Sequence, residues 1–230
     1  MSRRKIIACV AVASLLLAAC GDDSDSSDTT APNGSAVTLQ QLSDALLTET
    51  DLGDDMGGSW METQRDMFTT REPENPSIDP SLWCDEADGD ALVVLAGQAG
   101  ADVELKLGDE ASPFMVRQQA WSNGDVENYL TAIKDAVDTC DGTTWTDEEG
   151  NSYSMGPTEV PTIGDESVSW GITIDLVEAS QPASIALQTV AKFGNVIMVL
   201  QGGASTGPDS SAPNYTLIAR AAGDKMSDSL

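Results

Sequence analysis

Val190-Ala191-Lys192-Phe193-Gly194-Asn195-Val196-Ile197-Met198-Val199 decides the fold class. Two apolar runs flank a Gly-Asn pair, and two such residues between such runs signal a tight β-hairpin. The runs extend outward to Ser184 on one side and Gln201 on the other. Upstream, Val168 to Val177 alternates, with Ile172, Ile174 and Leu176 on one side and Thr173 and Asp175 on the other. That is the period of a half-buried strand. Thr143 to Thr146 and Tyr153 to Val160 flank an acidic turn, Asp147 to Asn151, and extend the series. The second half of the chain therefore reads as an antiparallel meander.

Further upstream, Val103, Leu105 and Leu107 alternate with Asp102, Glu104 and Lys106, and Pro113 to Trp121 reads as a second strand. Val126, Tyr129, Leu130, Ile133, Ala136, Val137 and Cys140 recur at spacings of three and four, which predicts a helix with its apolar stripe facing a core. Asp125 stands at its N-cap position. Thr38 and Gln41 have capping-box spacing ahead of Leu39, Leu42, Leu46 and Leu47, so a helix opens the domain. A break follows at Gly53, Gly57 and Gly58, and residues 69–81, with three prolines, read as an exposed loop. Ala91 to Ala99 fits helix or strand. After a loop from Gly202 to Ala212, Leu217, Ile218, Ala221, Ala222 and Met226 predict a closing helix, with Pro213 suited to its first turn. Helix, strands, helix, meander, helix is an α+β order: an antiparallel β-sheet meander packed by helices.

The N-terminus carries a different message. Arg3, Arg4 and Lys5 precede an apolar run from Ile6 to Ala19, the layout of a secretory leader. The run is too short for a membrane-spanning helix, which needs about 20 residues. Leu17-Ala18-Ala19-Cys20 resembles the bacterial lipobox, in which the cysteine is acylated and becomes the new N-terminus. Residues 1–19 are then a lipoprotein signal peptide, and residues 20–37 a lipidated, disordered tether rich in Asp, Ser, Thr and Gly. As a flexible coil such a tether reaches about 23 Å. Residues 38–230 form one domain, held by the lipid on Cys20 at the outer face of the cell membrane.

Charge and composition exclude several function classes. The chain carries 38 acidic and 11 basic residues, a formal charge of -27, and the leader takes three of the cations with it. Nucleic-acid binding needs basic patches and is excluded. There is no histidine, which removes Ser-His-Asp and Cys-His catalysis and His-based zinc chemistry. No nucleophile–base motif and no cofactor motif is present, so the chain reads as a non-enzyme. Calcium loops of the EF-hand type fail too: with Gly89 or Gly150 at the sixth position, the first would be Cys84 or Trp145. No metal site is expected. Of four cysteines, Cys9 leaves with the leader and Cys20 takes the lipid. Cys84 and Cys140 remain, and in an oxidising compartment one disulfide is the natural reading, two free thiols the other.

The order of motifs resembles a known family. Leu46-Leu47 leads to Leu52-Gly53 and then Gly58-Ser59-Trp60. A cysteine follows at 84, and an amphipathic helix ends in Asp138-Thr139-Cys140. Ile163-Gly164-Asp165-Glu166-Ser167 precedes a strand, then comes the hairpin around Phe193-Gly194-Asn195, and a helix closes the chain. This resembles the PknH-like extracellular sensor domain of actinobacteria, in its free-standing lipoprotein form. The resemblance implies an antiparallel sheet with helices and a cleft suited to ligand binding. Kinase-linked members carry two disulfides, whereas this chain has cysteines for one. The expected role is that of a lipid-anchored sensor or ligand-binding domain, with a small molecule, an envelope fragment or an envelope protein as partner. The alternative is a structural or accessory envelope lipoprotein acting through protein contacts. Trp121 ends a predicted strand and Trp170 begins one, so both are candidates for a cleft mouth. Asp165 and Glu166 are candidate ligand contacts, with a simple turn as the competing reading.

Overall fold

The chain leaves the middle of a sheet, crosses one face as a helix, and returns strand by strand from the far edge. This route is seen in a computed structural model, which describes residues 37–53, 56, 58–71, 98–107, 114–122, 125–146, 150–175, 184–205 and 214–230. The elements are α1 (Leu39–Asp44), a 3-10 turn (Glu49–Asp51), β1 (Trp60–Arg71), β2 (Gln98–Leu107), β3 (Phe114–Ser122), α2 (Val126–Cys140), β4 (Thr144–Thr146), β5 (Ser152–Pro157), β6 (Glu166–Asp175), β7 (Ser184–Phe193), β8 (Val196–Ser205) and α3 (Tyr215–Ser229). The strands form one sheet in the order β1-β2-β3-β8-β7-β6-β5-β4, and every neighbouring pair is antiparallel. An α+β meander packed by helices is the fold.

Alternation along the strands separates two cores. On β8, Val196, Met198 and Leu200 join Val103, Leu105 and Val116 on the first face, where they meet α1 and α3. Ile197 and Val199 point the other way and join Trp121, Trp170 and Ile172 beneath α2. Side chains two apart share a face, so each strand serves both layers. Burial of such side chains contributes about 1.5–3 kcal/mol each. That explains why these central strands are apolar on both sides.

The helix ends show how local chemistry fixes the pieces. Thr38 and Gln41 form the expected capping box. At the other end of α1, Arg65 on β1 donates to the Ser43 carbonyl at 2.8 Å and the Leu47 carbonyl at 2.6 Å, satisfying carbonyls that the helix leaves open. The Tyr215 hydroxyl, where α3 begins, donates to the Leu200 carbonyl at 3.0 Å, and burial pushes its pKa up. Its ring lies on Gly202, where an added Cβ would stand 2.8 Å from it. The Asp125 side chain does not cap α2; it accepts instead from Asn128 at 3.0 Å.

Two stretches differ from expectation. β1 fills residues to which the sequence assigns no element, between the glycine break ending at Gly58 and the loop expected from 69, and it runs into that loop. Its alternation is interrupted by register shifts at Glu62/Gln64 and Phe68/Arg71, and as an edge strand it carries Met61 and Met67 in solvent. Residues 69–71 belong to this strand, and the rest of the expected loop lies outside the described residues. β8 runs to Ser205, past the expected loop start at Gly202.

Candidate functional site

Helices cover the second face unevenly. α2 packs on β5, β6 and β7, while α1 and α3 lie on the first face. The core beneath α2 takes in Trp121 of β3 and Ile197 and Val199 of β8, and among the described residues no side chain of β2 joins it. A row of polar side chains crosses the sheet on this face. Glu104 on β2 faces Arg117 on β3, Arg117 faces Gln201 on β8, Gln201 faces Gln188 on β7, and Gln188 faces Trp170 on β6. Directly opposed residues lie within interaction range on one face, so the row is a continuous polar lane. Asp102 and Gln119, mutual partners in the next row, border it.

The lane is built into the protein rather than laid on it. Asp102, Gln119 and Gln188 are 2 %, 4 % and 2 % exposed. Arg117 Nη2 meets Asp102 Oδ2 at 2.7 Å, and Glu104 accepts from the Thr63 hydroxyl at 2.8 Å. The Gln119 Oε1 atom is buried with no hydrogen-bond partner among the described residues. Burying a polar atom without a partner costs about 1–3 kcal/mol. Beside these groups lies a groove of about 230 Å³, lined by Glu104, Met115, Arg117, Gln188, Gln201 and Gly203. Convergent polar groups at a concavity are the mark of a binding site. Both carboxylates are engaged, Asp102 by Arg117 and Glu104 by Thr63.

The sequence candidates fall elsewhere. Trp121 and Trp170 are corrected from cleft mouth to core: they are 2 % and 0 % exposed. β3 and β6 lie inside the sheet, and Trp170 sits mid-strand in the layer packed on α2. Trp121 packs edge-on against Phe68, 6.1 Å between ring centres. Asp165 accepts from the Gly194 amide at 2.7 Å, so it ties the turn before β6 to the hairpin tip, as the turn reading holds. It also lines a groove of about 600 Å³ with Val37, Phe193, Asn195 and Leu230. That groove is larger, but its one carboxylate is already committed to Gly194. Glu166 pairs with Lys134 of α2, and this contact holds its carboxyl below the usual range. Glu127 of α2 pairs with Lys192 of β7. The two ion pairs clamp α2 to the sheet. The structure thus brings none of the four candidates into the lane, although Trp170 closes its end.

Cys140 ends α2 and is fully buried. Cys84, Cys20, the leader and most of the tether lie outside the described residues. Sequence reasoning missed Glu104, Arg117, Gln119, Gln188 and Gln201. The available signal was glutamine within otherwise apolar strands, but only the register shows that these residues meet.

No protein-family model matches the chain, and no curated protein does. Among solved structures, the chain is similar to the extracellular domain of PknH from Mycobacterium tuberculosis, with a TM-score of 0.56 at 14 % identity, covering 84 % of this chain and 95 % of that one. It is also similar to an uncharacterised protein, the Rv0999 ortholog, from Mycobacterium smegmatis, with a TM-score of 0.42 at 16 % identity, covering 82 % and 94 %. At these identities the likeness to the PknH domain is one of fold.

Proposed function

We propose that the chain is an extracytoplasmic, lipid-anchored sensor or ligand-binding domain of the bacterial envelope, with its ligand received on the second sheet face. The observation that carries this is the lane Glu104–Arg117–Gln201–Gln188 beside a groove. Several facts support it. The fold is that of an extracellular domain in a solved protein. The Cys20 lipobox and acidic tether suit a domain held near a membrane, and among the described residues no helix is long and apolar enough to cross one. The lack of histidine and of any nucleophile–base motif favours a non-enzyme.

A second reading, an accessory lipoprotein working through protein contacts, is favoured by one observation. Met61 and Met67 on edge strand β1 are 53 % and 52 % exposed. A thermal-shift screen of envelope fragments and small metabolites on the detergent-solubilised chain separates the two. Ligand at 100-fold excess over its Kd stabilises by about 2.7 kcal/mol. The binding reading expects a hit that Gln188→Leu abolishes. No hit across the screen gives the lead to the accessory reading.

A further inference from the structure

We propose that residues 72–97 dock across the second sheet face, over β2 and β3, as a fixed cover beside the groove. This goes beyond the ligand reading and does not depend on what the groove binds.

Burial is the first observation. An antiparallel sheet with one open face leaves the polar side chains of that face in water. Asp66 of β1 and Asp102 of β2 are partners in one row of the second face. Asp66 is exposed, whereas Asp102 is 2 % exposed. Gln119, next in that row on β3, is 4 % exposed. The core beneath α2 takes in neither, and neither lines the groove. Their cover therefore comes from outside the described residues, and its border falls between β1 and β2.

A path of contacts is the second. Phe68, Asp102, Gln201, Gln188 and Trp170 stand on β1, β2, β8, β7 and β6, and Cys140 ends α2. Each of the six holds an interaction beyond those given above.

Chain position selects the segment. Residues 108–113, 176–183 and 206–213 leave the sheet at the end marked by Leu107, Phe114, Ser184 and Ser205. The chain before Val37 arrives at the first face, since Val37 packs on the core there. Of the longer stretches outside the described residues, that leaves 72–97. It departs and returns at the opposite end, where Arg71 and Gln98 are partners, close to Asp102 along β2. Its reach is sufficient. At about 3.3 Å per residue, an extended run from Arg71 to Cys84 spans about 43 Å, whereas β1 and β6 lie about 24 Å apart at a strand spacing of about 4.8 Å. The expected Cys84–Cys140 bond falls at the far end of this path. Leu82, Trp83, Leu92, Val93, Val94 and Leu95 give the segment apolar side chains to lay on the sheet.

The test is maleimide labelling, read by peptide mass spectrometry, on the detergent-solubilised full chain. Gln119→Cys places a thiol under the cover, and Ala120→Cys places one in the first-face core as a control for unfolding. Each is made in the full chain and in a chain whose residues 72–97 are replaced by Asn-Gly, a turn that joins Arg71 to Gln98 as a tight hairpin. The thiol of Gln119→Cys should label slowly in the full chain and at least about tenfold faster after the replacement, with that of Ala120→Cys slow in both. Fast labelling of Gln119→Cys in the full chain, or slow labelling in both chains, overturns the proposal. If the replacement exposes the Ala120→Cys thiol, the fold is lost and a photo-crosslink decides. With p-benzoylphenylalanine in place of Gln201, crosslinks of the full chain should map to peptides of 72–97. Crosslinks only elsewhere, or none, overturn the proposal.

Discussion

Asp165 Oδ2 accepts a 2.7 Å hydrogen bond from the Gly194 amide, and the Asp165 amide donates to the Lys192 carbonyl at 2.8 Å. The turn before β6 thereby holds the tip of the β7–β8 hairpin, which anchors the centre of the sheet. Gly164 makes the close approach feasible. It has a φ of 62°, and an added Cβ would stand 2.3 Å from the Lys192 carbonyl oxygen. Gly164→Ala combines left-handed strain with a backbone clash, so it should cost about 2 kcal/mol or more. Asp165→Ala, at an exposed site, should cost about 1 kcal/mol. Urea unfolding of both variants measures this, and ligand binding on the opposite face should survive in Asp165→Ala.

Trp170 sets a second expectation. As a core side chain with 0 % exposure, its removal should act on stability before it acts on binding. Trp170→Ala should cost about 3–5 kcal/mol, a fall in Tm of the order of 10 °C. A stable Trp170→Ala protein that has lost only ligand binding would return Trp170 to the site.

The clamp on α2 predicts a pH profile. Lys134, by hydrogen bond and charge, holds the Glu166 carboxyl below its ordinary value of 4.5. A group whose pKa is depressed on folding stabilises the protein above its unfolded pKa, and that stabilisation is lost as pH falls through the folded value. Lys192 is shifted the other way, upward from 10.5 by Glu127, so its contribution is present below 10.5 and lost as pH rises through its folded value. Comparing denaturant unfolding of wild type and Glu166→Gln across pH tests the acid side. The difference should be flat near neutrality and vanish in strong acid. A constant difference at all pH values would remove Glu166 from the clamp.

Two covalent features are also expected. Cys140 is buried at the end of α2, where a bond to Cys84 would pin the helix to the segment after β1. Closing such a loop contributes about 4 kcal/mol by the chain-entropy account, whose mechanism is disputed. Peptide mapping of the exported protein without reduction should find a Cys84–Cys140 linked pair and an acylated peptide beginning at Cys20. Both thiols alkylated before reduction, or an unmodified Cys20, would contradict the respective assignment.

The sheet was readable in the sequence wherever alternation and burial coincide. α2 was predicted at its observed length because all seven apolar stripe residues face a core. The hairpin followed from Gly194-Asn195. β1 was not readable, since an edge strand is buried less and its register shifts break the period. The site was hidden for another reason. Asp102, Glu104, Gln119, Gln188 and Gln201 look like ordinary solvent-facing alternation or isolated polar residues. Their meeting depends on β8 pairing with β3, a contact across about 80 residues of chain that local patterns do not encode. The tryptophans misled because strand ends in the sequence are not cleft ends in a sheet of eight strands.

Hydrogen–deuterium exchange, with and without a ligand found by thermal shift, tests the central claim most directly. Binding on the second face should slow exchange at β3, β7 and β8 around Arg117, Gln188 and Gln201, and leave the turn at Asp165 and the tip at Gly194 unchanged. Protection confined to Gly164–Asp165, Gly194–Asn195 and the end of α3 would contradict it and move the site to the larger groove on the other side of the hairpin.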